Sequence, residues 1–428
     1  MPILSKLTSC LLQLTRTCSL PLFGGTLLAL AIPAQAAEQV VELELVHELG
    51  PDKGEQLSKL VERFNTTVKG IHIKVSSTPW TEGKPDLMIL DSESEAQLLS
   101  RRGSIKPLSE ILAAANVRVP TLAVPRMMSP ASLDAKGRAQ ALPIGLGTPV
   151  MYANKQQLIN AGIDPDNLPK TWLGWQEALG KIRGFGYNCP YTTSEPVSTF
   201  IENVSAWHNQ PYAVGKKPEI AVNGLMQVKH LAFMNSWVRA QYLHFFGQGN
   251  NAENVFAQGN CVTLTAPSSA FPTLRRQAKF DVVVAPFPYH DGAYGAPQNT
   301  LADGPSMWVA AGRTPAEYKA VARFVSFWLT PESQVEWQVN AGYLPLNPSG
   351  LLIATSSKLL QDELQANRLA IAELTNKPTT DASAASPLAH APGVRRVLGE
   401  EMENIWADRK PPKQAMDDAV MRIRSGRM

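Results

Sequence analysis

The sequence predicts an α/β fold in which helices cover mainly parallel sheets. Strand-like and helix-like patterns alternate along the chain, and this alternation is typical of parallel strands joined by helical connections. The chain has 428 residues, of which 44% are apolar. That is enough for a buried core and for about two or three domains, and it excludes a mainly disordered chain.

The first part of the chain shows both patterns clearly. Val40–His47 alternates apolar residues with Glu, which is the period of a half-buried strand. Leu57, Leu60, Val61 and Phe64 recur at helical spacing and predict an amphipathic helix. Two short apolar strands and a second helix are predicted next, at Ile71–Val75, Leu87–Leu90 and Ala96–Arg102.

The same patterns continue to the end of the chain. Strands are predicted at Ala141–Tyr152, Cys261–Thr265, Phe280–Val284 and Met307–Ala311. Helices are predicted at Lys155–Ala161, Trp172–Ile182, Phe200–Trp207, Val228–Leu243, Val394–Trp406 and Gln414–Arg424. Thr314-Pro315-Ala316-Glu317 is a capping box with Pro at the first helical position, and Thr330-Pro331 begins another helix. Lys377–Pro392 is rich in Ser, Thr, Ala and Pro and predicts a loop.

The N-terminus has the features of a secretory signal peptide. Residues 1–36 contain Lys6 and Arg16, no acidic residue, and an apolar stretch from Leu20 to Ile32. Ala34-Gln35-Ala36 follows, which is the small-x-small pattern of signal-peptidase cleavage. We therefore expect export and a mature chain that begins at Ala37. No later segment reaches 18 uninterrupted apolar residues, so no membrane span is expected in the mature chain.

Charge and cysteine content restrict the function further. The chain has 40 Lys and Arg against 37 Asp and Glu, a formal net charge of +3. This is too small to indicate a nucleic-acid partner. Only Cys189 and Cys261 remain after removal of the leader. In an oxidising compartment they can form a disulfide, and two buried thiols are the alternative.

No motif for catalysis or metal binding is present. The sequence lacks GxSxG, HExxH, CxxC and the phosphate-binding GxxxxGK[ST] loop. Gly145-Leu146-Gly147 resembles a glycine-rich turn, but Pro149 would block the helix that such a loop must open. No catalytic residue, cofactor or metal site is predicted, and the pattern favours a binding protein over an enzyme.

A series of short phrases carries a resemblance to a known family. They occur in order at Thr148–Lys155, Ala161–Pro165, Pro169–Trp172, Glu202–Trp207, Gly259–Cys261, Ala296–Asn299, Gly342–Pro345 and Glu400–Trp406. Through these phrases nearly the whole mature chain resembles the family 1 extracellular solute-binding proteins of ABC importers. The resemblance implies a periplasmic, monomeric protein that delivers a small-molecule ligand to a membrane permease and its ATPase.

The resemblance also implies a two-lobed periplasmic-binding-protein-like fold of type II. Each lobe is a sheet covered by helices, and the lobes close on a ligand by a hinge motion. The expected N-terminal lobe contains residues 37–146 and 287–344, and the expected C-terminal lobe contains residues 147–286 and 345–428. The hinge crossings are expected near Gly145–Pro149, Ala285–Pro288 and Tyr343–Pro345.

Ligand contacts of the glycerol-phosphate-binding members carry over to five positions, Glu93, Trp172, Gly304, Tyr343 and Arg395. An arginine fork suits a phosphate, and a glycine permits close approach of the backbone. A tyrosine hydroxyl can donate a hydrogen bond, a glutamate can accept from glycerol hydroxyls, and a tryptophan can pack on a carbon skeleton. His47 and Ser268 are further candidates, because His47 ends the first strand and Ser268 adjoins a position where the family has a serine. The resemblance therefore predicts glycerol-3-phosphate or a glycerophosphodiester as the ligand.

Three departures from the family pattern leave alternatives open. The family's early tyrosine has no counterpart, because the stretch between Val75 and Pro85 is shorter here. Gly147 and Pro267 stand where the family has serines, and each lost hydroxyl removes a possible hydrogen bond. The alternatives are a binding protein for a sugar or another polyol and, more distantly, a secreted hydrolase. The nearby carboxylates available to a hydrolase are Asp91, Glu93 and Glu95.

Overall fold

The structure is a computed structural model that describes residues 40–117, 132–134, 136–247, 251–346, 350, 352, 356 and 361–428. The predicted leader, residues 1–36, lies outside these residues. In the described part of the chain, no helix has both the length and the apolar character needed to cross a membrane.

The first sheet forms the centre of the N-lobe. Its strand order is β2-β1-β3-β12-β4, with β1 parallel to both β2 and β3 and β12 antiparallel to β3 and β4. The strands are β1 (Val41–His47), β2 (Ile71–Ser76), β3 (Leu87–Leu90), β4 (Leu142–Pro143) and β12 (Ser306–Val309). The parallel core agrees with the sequence prediction, and the late strand β12 returns from the other lobe.

Helices cover this sheet as the apolar spacing predicts. They are α1 (Pro51–Thr67), α2 (Ser92–Ser100), α3 (Leu108–Ala114), α10 (Pro315–Trp328) and α11 (Pro331–Ala341). In α1, Phe64 packs edge-on against Phe324 and Phe327, with ring centroids 5.1 and 5.3 Å apart. The capping box at the start of α10 is confirmed, because Thr314 and Glu317 form both reciprocal hydrogen bonds.

A second sheet forms the centre of the C-lobe. Its strand order is β11-β5-β10-β6-β9, with β5 antiparallel to its two neighbours and β6 parallel to β10 and β9. The strands are β5 (Pro149–Asn154), β6 (Tyr191–Thr193), β9 (Leu243–His244), β10 (Thr263–Pro267) and β11 (Val282–Ala285). A separate two-stranded ribbon contains β7 (Ala213–Val214) and β8 (Glu219–Ile220).

Six of the described C-lobe helices overlap predicted helices, and three, Asn251–Ala257, Phe271–Gln277 and Gln365–Leu374, were not predicted. The helices are α4 (Lys155–Asn160), α5 (Trp172–Phe185), α6 (Val204–Trp207), α7 (Leu225–Arg239), α8 (Asn251–Ala257), α9 (Phe271–Gln277), α12 (Gln365–Leu374), α13 (Val394–Trp406) and α14 (Pro412–Arg424). A π-helix, Ser198–Asn203, precedes α6, and a 3₁₀ helix, Pro387–His390, lies in the predicted loop. The sequence predicted one regular helix over Phe200–Trp207, so the π-helical turn is a difference.

The structure resolves the cysteine question in favour of a disulfide. Cys189 and Cys261 are bonded, with their Cα atoms 4.6 Å apart. The backbone N–H of Val262 also donates to the carbonyl oxygen of Cys189 at 2.9 Å. The bond therefore ties the chain before β6 to the chain before β10, inside the C-lobe.

Three chain crossings join the two lobes and pair with one another. The N–H of Leu344 donates to the carbonyl oxygen of Leu146 at 2.7 Å. Gly147 and Asp303 exchange both backbone hydrogen bonds at 2.9 Å. These isolated antiparallel bridges connect the first crossing to the third and to the second.

The second crossing lies later in the chain than the predicted Ala285–Pro288. Phe287 is fully buried in the C-lobe core, and its carbonyl oxygen accepts a hydrogen bond from the indole of Trp207 at 3.2 Å. The N–H of Gln298 donates to the carbonyl oxygen of Trp207 at 2.8 Å. The chain thus stays on the C-lobe and crosses near Asp303. The apolar pattern of β11 ends at Ala285, and these backbone anchors have no sequence pattern of their own.

Candidate functional site

The candidate site is a cleft of about 300 Å³ between the two lobes. Both lobes and all three crossings contribute to its walls. The polar residues that line it are Glu48, Lys53, Asp91, Thr148, Glu195, Ser198, Thr199, Glu253, Ser269, Asp303, Tyr343 and Arg395, and Gly147 and Gly304 contribute backbone. A larger depression of about 530 Å³ lies on the C-lobe surface, but Lys279 is the one charged residue in its described lining.

Arg395 lies at the start of α13, and among the described residues the carboxylates of Glu202 and Asp303 pair with it. Its Nε and Nη2 donate to the two carboxylate oxygens of Glu202 at 2.8 and 2.7 Å. Its Nη2 also donates to Asp303 at 2.5 Å. Burial acts against the charge of Arg395, but Asp303 and Glu202 outweigh burial and raise the pKa of the guanidinium well above its usual value. The side chain keeps 22% of its surface exposed, and Arg395 is part of the cleft lining.

Glu202 belongs to the π-helix, a type of turn that is rare and frequently found at functional sites. The same turn places Ser198 and Thr199 in the wall of the cleft. Asn203 accepts a hydrogen bond from the N–H of Leu301 at 2.8 Å, which anchors the chain before the second crossing. Sequence reasoning assigned no role to Glu202. The available signal was a single charged residue within the predicted helix Phe200–Trp207.

Lys53 is the second cation of the cleft. Its Nζ donates to Ser269 across the lobes at 3.2 Å and lies 4.5 Å from the centroid of the Tyr343 ring. The other neighbour of Tyr343 is Trp337, whose ring stacks on it at a centroid distance of 5.7 Å. Burial acts to lower the pKa of Lys53, but Tyr343 and the nearby Glu253 outweigh burial and raise it. Lys53 therefore stays charged inside the cleft.

Carboxylates outnumber cations in the described lining. Burial and the neighbouring Asp303 raise the pKa of Glu195 to about 7, and burial raises the pKa of Glu253. Glu48 accepts from the hydroxyl of Ser94 at 2.8 Å, and burial raises its pKa as well. The full set of acidic lining residues is Glu48, Asp91, Glu195, Glu253 and Asp303, against Lys53 and Arg395. The described lining therefore lacks the surplus of positively charged side chains that a site for a free phosphate dianion usually has.

Glu95 is a buried carboxyl near this cluster, with an exposed fraction of 1%. Burial and the negative charge of Asp303 raise its pKa to about 8, although Arg395 acts in the opposite direction. The sequence singled out Glu93 in the same acidic stretch as a site residue. The structure places Glu93 in α2, and its side chain lies outside the described part.

Replacement of Glu95 by Gln is expected to stabilise the protein at high pH. Because the folded state raises the pKa of Glu95, this group favours folding less as pH rises from about 5 to about 9. The unfolding midpoint of the variant should therefore exceed that of wild type at pH 9, and the difference should shrink by pH 6. His208 and His290, whose pKa values burial lowers to about 4, affect both proteins equally. A difference that stays constant across this range would contradict the assignment.

Three of the predicted ligand residues meet in the cleft. Gly304, Tyr343 and Arg395 all line it. Gly304 has a φ of +150°, and a Cβ at this position would lie 1.4 Å from the carbonyl oxygen of Gly145. A glycine is therefore required where the first and second crossings pass each other, which is a structural reason for the residue in addition to its place in the cleft wall.

The structure does not bring His47, Ser268 or Trp172 to the cleft wall. His47 is 7% exposed, and its ring fills the space beside Gly54, where a Cβ would lie 2.6 Å from a ring carbon. Ser268 is fully buried, and its hydroxyl accepts from the N–H of Thr148 at 3.4 Å. The neighbouring Ser269 lines the cleft instead, because the 3₁₀ turn after β10 directs the two serines differently.

Trp172 is fully buried in the C-lobe core. Its ring lies 5.0 Å from that of His230, 5.8 Å from that of Trp237 and 5.6 Å from that of Phe287. A ligand cannot pack on a face that these rings already cover, so we leave Trp172 out of the proposed site. Trp80 likewise packs in a small cluster with Met88 and Trp308.

Replacement of Trp172 by Phe is expected to lower stability without weakening ligand binding. The smaller ring leaves space in a fully buried aromatic cluster, and large-to-small core changes of this kind cost about 1–3 kcal/mol. Denaturant unfolding measures the loss, and calorimetry with a bound ligand measures the affinity. A variant that unfolds like wild type but binds many-fold more weakly would place Trp172 back in the ligand site.

The geometry of two lobes around a polar cleft agrees with comparisons to known proteins. The family model of bacterial extracellular solute-binding proteins matches residues 59–365. The chain belongs to this family. Members bind solutes outside the cytoplasmic membrane, which agrees with the predicted export and with the predicted small-molecule ligand.

Relatives and solved structures extend over nearly the whole chain. The sn-glycerol-3-phosphate-binding periplasmic protein UgpB of Yersinia enterocolitica is 30% identical over 414 residues, covering 92% of this chain and 94% of the relative. UgpB of Pectobacterium atrosepticum is 29% identical over 413 residues, covering 92% and 93%.

Two solved structures confirm the two-lobed fold. UgpB of Mycobacterium tuberculosis in complex with glycerophosphocholine superposes with a TM-score of 0.72 at 17% identity, covering 90% of this chain and 98% of that one. Maltose-bound MalE3 of T. maritima gives 0.71 at 16% identity, covering 90% and 99%. At identities this low, the similarity establishes the fold alone, and the ligand has to be inferred from the residues of the cleft.

Proposed function

We propose that this protein is the periplasmic binding component of an ABC importer and that its ligand is a glycerophosphodiester with a positively charged head group. The charge distribution of the cleft is the observation that carries this proposal. Two cations, Lys53 and Arg395, share a space of about 300 Å³ with five carboxylates. A ligand with one negative charge, one positive charge and free hydroxyls matches that distribution.

The phosphodiester end of the ligand is expected near Arg395. An arginine fork at a helix N-terminus is a suitable anion site, and α13 begins at the residue before it. Lys53 adds a compact second charge from the opposite lobe. A diester carries one negative charge, whereas a phosphate monoester carries about −1.5 to −2 at pH 7. Because Glu202 and Asp303 already pair with Arg395, the single charge is the better match.

The rest of the ligand is expected among the carboxylates. Carboxylate oxygens of Glu48, Glu195 and Glu253 can accept hydrogen bonds from glycerol hydroxyls or attract an ammonium group. Partial neutralisation of Glu195, whose pKa is raised to about 7, should be reversed by a cation that binds beside it. The names of the relatives, which are sn-glycerol-3-phosphate-binding proteins, and of the structural neighbour with glycerophosphocholine support this class of ligand.

Thermal unfolding against a panel of ligands tests the proposal. The panel contains glycerophosphocholine, sn-glycerol-3-phosphate, maltose, a free hexose and inorganic phosphate. A ligand at 100 times its dissociation constant stabilises the folded state by about 2.7 kcal/mol, which raises the midpoint visibly. We expect the largest shift with glycerophosphocholine and no conversion of it during incubation. No shift with either glycerol phosphate, or hydrolysis of the diester, would contradict the proposal.

A neutral sugar or polyol is the second candidate ligand. The surplus of carboxylates favours it, because carboxylates are good acceptors for the hydroxyl groups of an uncharged ligand. Such a ligand would not depend on Arg395 for charge. A midpoint shift with maltose or the hexose alone would support this candidate, and it would retain the importer role while discarding the phosphate site.

Delivery to a membrane permease completes the proposed role. Closure of the two lobes about the three crossings would present both lobes to the permease at once, since closure is a hinge motion. We propose a monomer in the periplasm as the acting form. Sedimentation of the purified protein with and without ligand tests the monomer, and a shift to a larger species would contradict it.

A further inference from the structure

The pairing of Glu202 with Arg395 is more elaborate than a simple anion site requires. The glutamate side chain is only 4% exposed and makes both of its hydrogen bonds to the same guanidinium, at 2.8 and 2.7 Å. A carboxylate buried to this degree is costly unless it is paired. Glu202 does not line the cleft, so it acts on a ligand only through Arg395.

The backbone around Glu202 is also specialised. The carboxylate projects from the π-helix Ser198–Asn203, whose widened turn is rare and recurs at functional sites. The same turn supplies Ser198 and Thr199 to the cleft. One local distortion thus places two cleft-lining residues and the partner of the cleft arginine together.

Two carboxylates on one guanidinium reduce the positive charge that the ligand meets. Asp303 bonds to the same Nη2 atom at 2.5 Å, and Glu95 lies close enough for Arg395 to affect its protonation. A neutral amide at position 202 has one acceptor oxygen and could accept only one of the two hydrogen bonds from the guanidinium. A carboxylate at this position also lowers the net positive charge around the guanidinium.

We propose that Glu202 is a positioning residue that fixes the plane of Arg395 and lowers its effective charge, so that the cleft favours a phosphodiester over a phosphate monoester. The inference rests on the proposed function, because it concerns which phosphate ester that site prefers. Among the residues that the structure describes, the titratable groups that interact electrostatically with the guanidinium include Glu95, Glu195, Glu202, Tyr212, Asp303 and His390. The ion pair with Glu202 is bidentate.

The test compares two ligands across matched variants. Calorimetry at pH 7.5 and fixed salt gives the dissociation constants of glycerophosphocholine and sn-glycerol-3-phosphate for wild type, Glu202→Gln and Glu202→Asp. Glu400→Gln is the control, because Glu400 lies on the helix of Arg395, is not part of the cleft lining, and pairs with Arg396 on that helix and with Arg422 on α14. The readout is the ratio of the two constants, which a general loss of structure would not move.

Removal of the Glu202 charge should favour the monoester. We expect Glu202→Gln to reduce the preference for the diester by about tenfold, since one fewer negative charge beside the guanidinium benefits the dianion more than the monoanion. Glu202→Asp keeps the charge but shortens the side chain, so it should weaken both ligands and leave the ratio unchanged. Glu400→Gln should change neither constant.

Each other outcome overturns a defined part of the account. If Glu202→Gln binds the diester and the ratio stays at the wild-type value, the inference about Glu202 is wrong while the proposed function stands. If Glu202→Gln does not fold, the Glu202→Asp variant decides. Should that variant bind both esters as tightly as wild type does, Glu202 does not position Arg395. If wild type binds neither ester, the proposed function fails and the inference fails with it.

Discussion

Replacement of Arg395 by Ala is expected to reduce the affinity for a glycerophosphodiester by at least about 30-fold. Loss of one partner of a desolvated charge pair costs about 2–5 kcal/mol in binding. The change also leaves Glu202, with its side chain 4% exposed, without its cation, and an uncompensated buried charge costs about 3–5 kcal/mol in stability. Calorimetry measures the affinity, and urea unfolding measures the stability.

Arg396 provides a matched control on the same helix. Its side chain is 52% exposed and pairs with Glu400 one turn along α13, an arrangement worth about 0.3–0.5 kcal/mol. Replacement of Arg396 by Ala should therefore leave both affinity and stability close to wild type. Equal losses for the two variants, or unchanged diester affinity for the Arg395 variant, would show that the assigned phosphate site is wrong.

Removal of the disulfide by replacing both Cys189 and Cys261 with Ala is expected to destabilise the protein by about 2–5 kcal/mol. The bond joins residues 72 apart in sequence, and cross-linking of a loop this long restricts the unfolded chain strongly. Both cysteines are buried in the C-lobe. Denaturant unfolding of the oxidised protein, the reduced protein and the double variant measures the effect.

A measurement of ligand affinity should distinguish a loss of stability of the fold from a change in the ligand site. Neither cysteine lines the cleft, so the double variant should bind its ligand with nearly wild-type affinity while it is folded. A midpoint unchanged by reduction, with complete reduction shown by a thiol assay, would contradict the stabilising role of the bond.

Most of the fold was predictable because apolar residues recur at regular spacings within each helix and strand. Helix α1 buries Leu57, Leu60, Val61 and Phe64 as their spacing predicted, and β3 occupies the predicted residues 87–90. The capping box of α10 was also predictable, because both of its partners lie within one turn of each other. Interactions of this kind need no knowledge of the rest of the chain.

The site was less predictable because it depends on contacts between distant residues. Lys53 and Ser269 meet across the lobes at 3.2 Å, and Arg395 meets Glu202 from 193 positions away in sequence. No local pattern indicates either pair. The resemblance did single out Tyr343 and Arg395, which both line the cleft; Tyr343 lies within the Gly342–Pro345 phrase, and Arg395 precedes the Glu400–Trp406 phrase.

Trp172 and Ser268 differ from the prediction for a common physical reason. Trp172 lies on α5, no described residue of which lines the cleft, and Ser268 shares a 3₁₀ turn with Ser269, which does line it. Burial of each side chain is decided by the rings and backbone that pack around it, so the sequence could place the two serines on one turn but could not determine which of them the cleft would use. The structure substitutes Ser269 for Ser268 by this distinction alone.

Calorimetric titration of the purified protein with three ligands tests whether the charges of the cleft match a zwitterionic phosphodiester. The ligands are glycerophosphocholine, a glycerophosphodiester with an uncharged head group, and sn-glycerol-3-phosphate. The account predicts the tightest binding for glycerophosphocholine, because only that ligand offers a cation to the carboxylates of the cleft. Equal affinity for the two diesters, or tighter binding of the monoester, would contradict it.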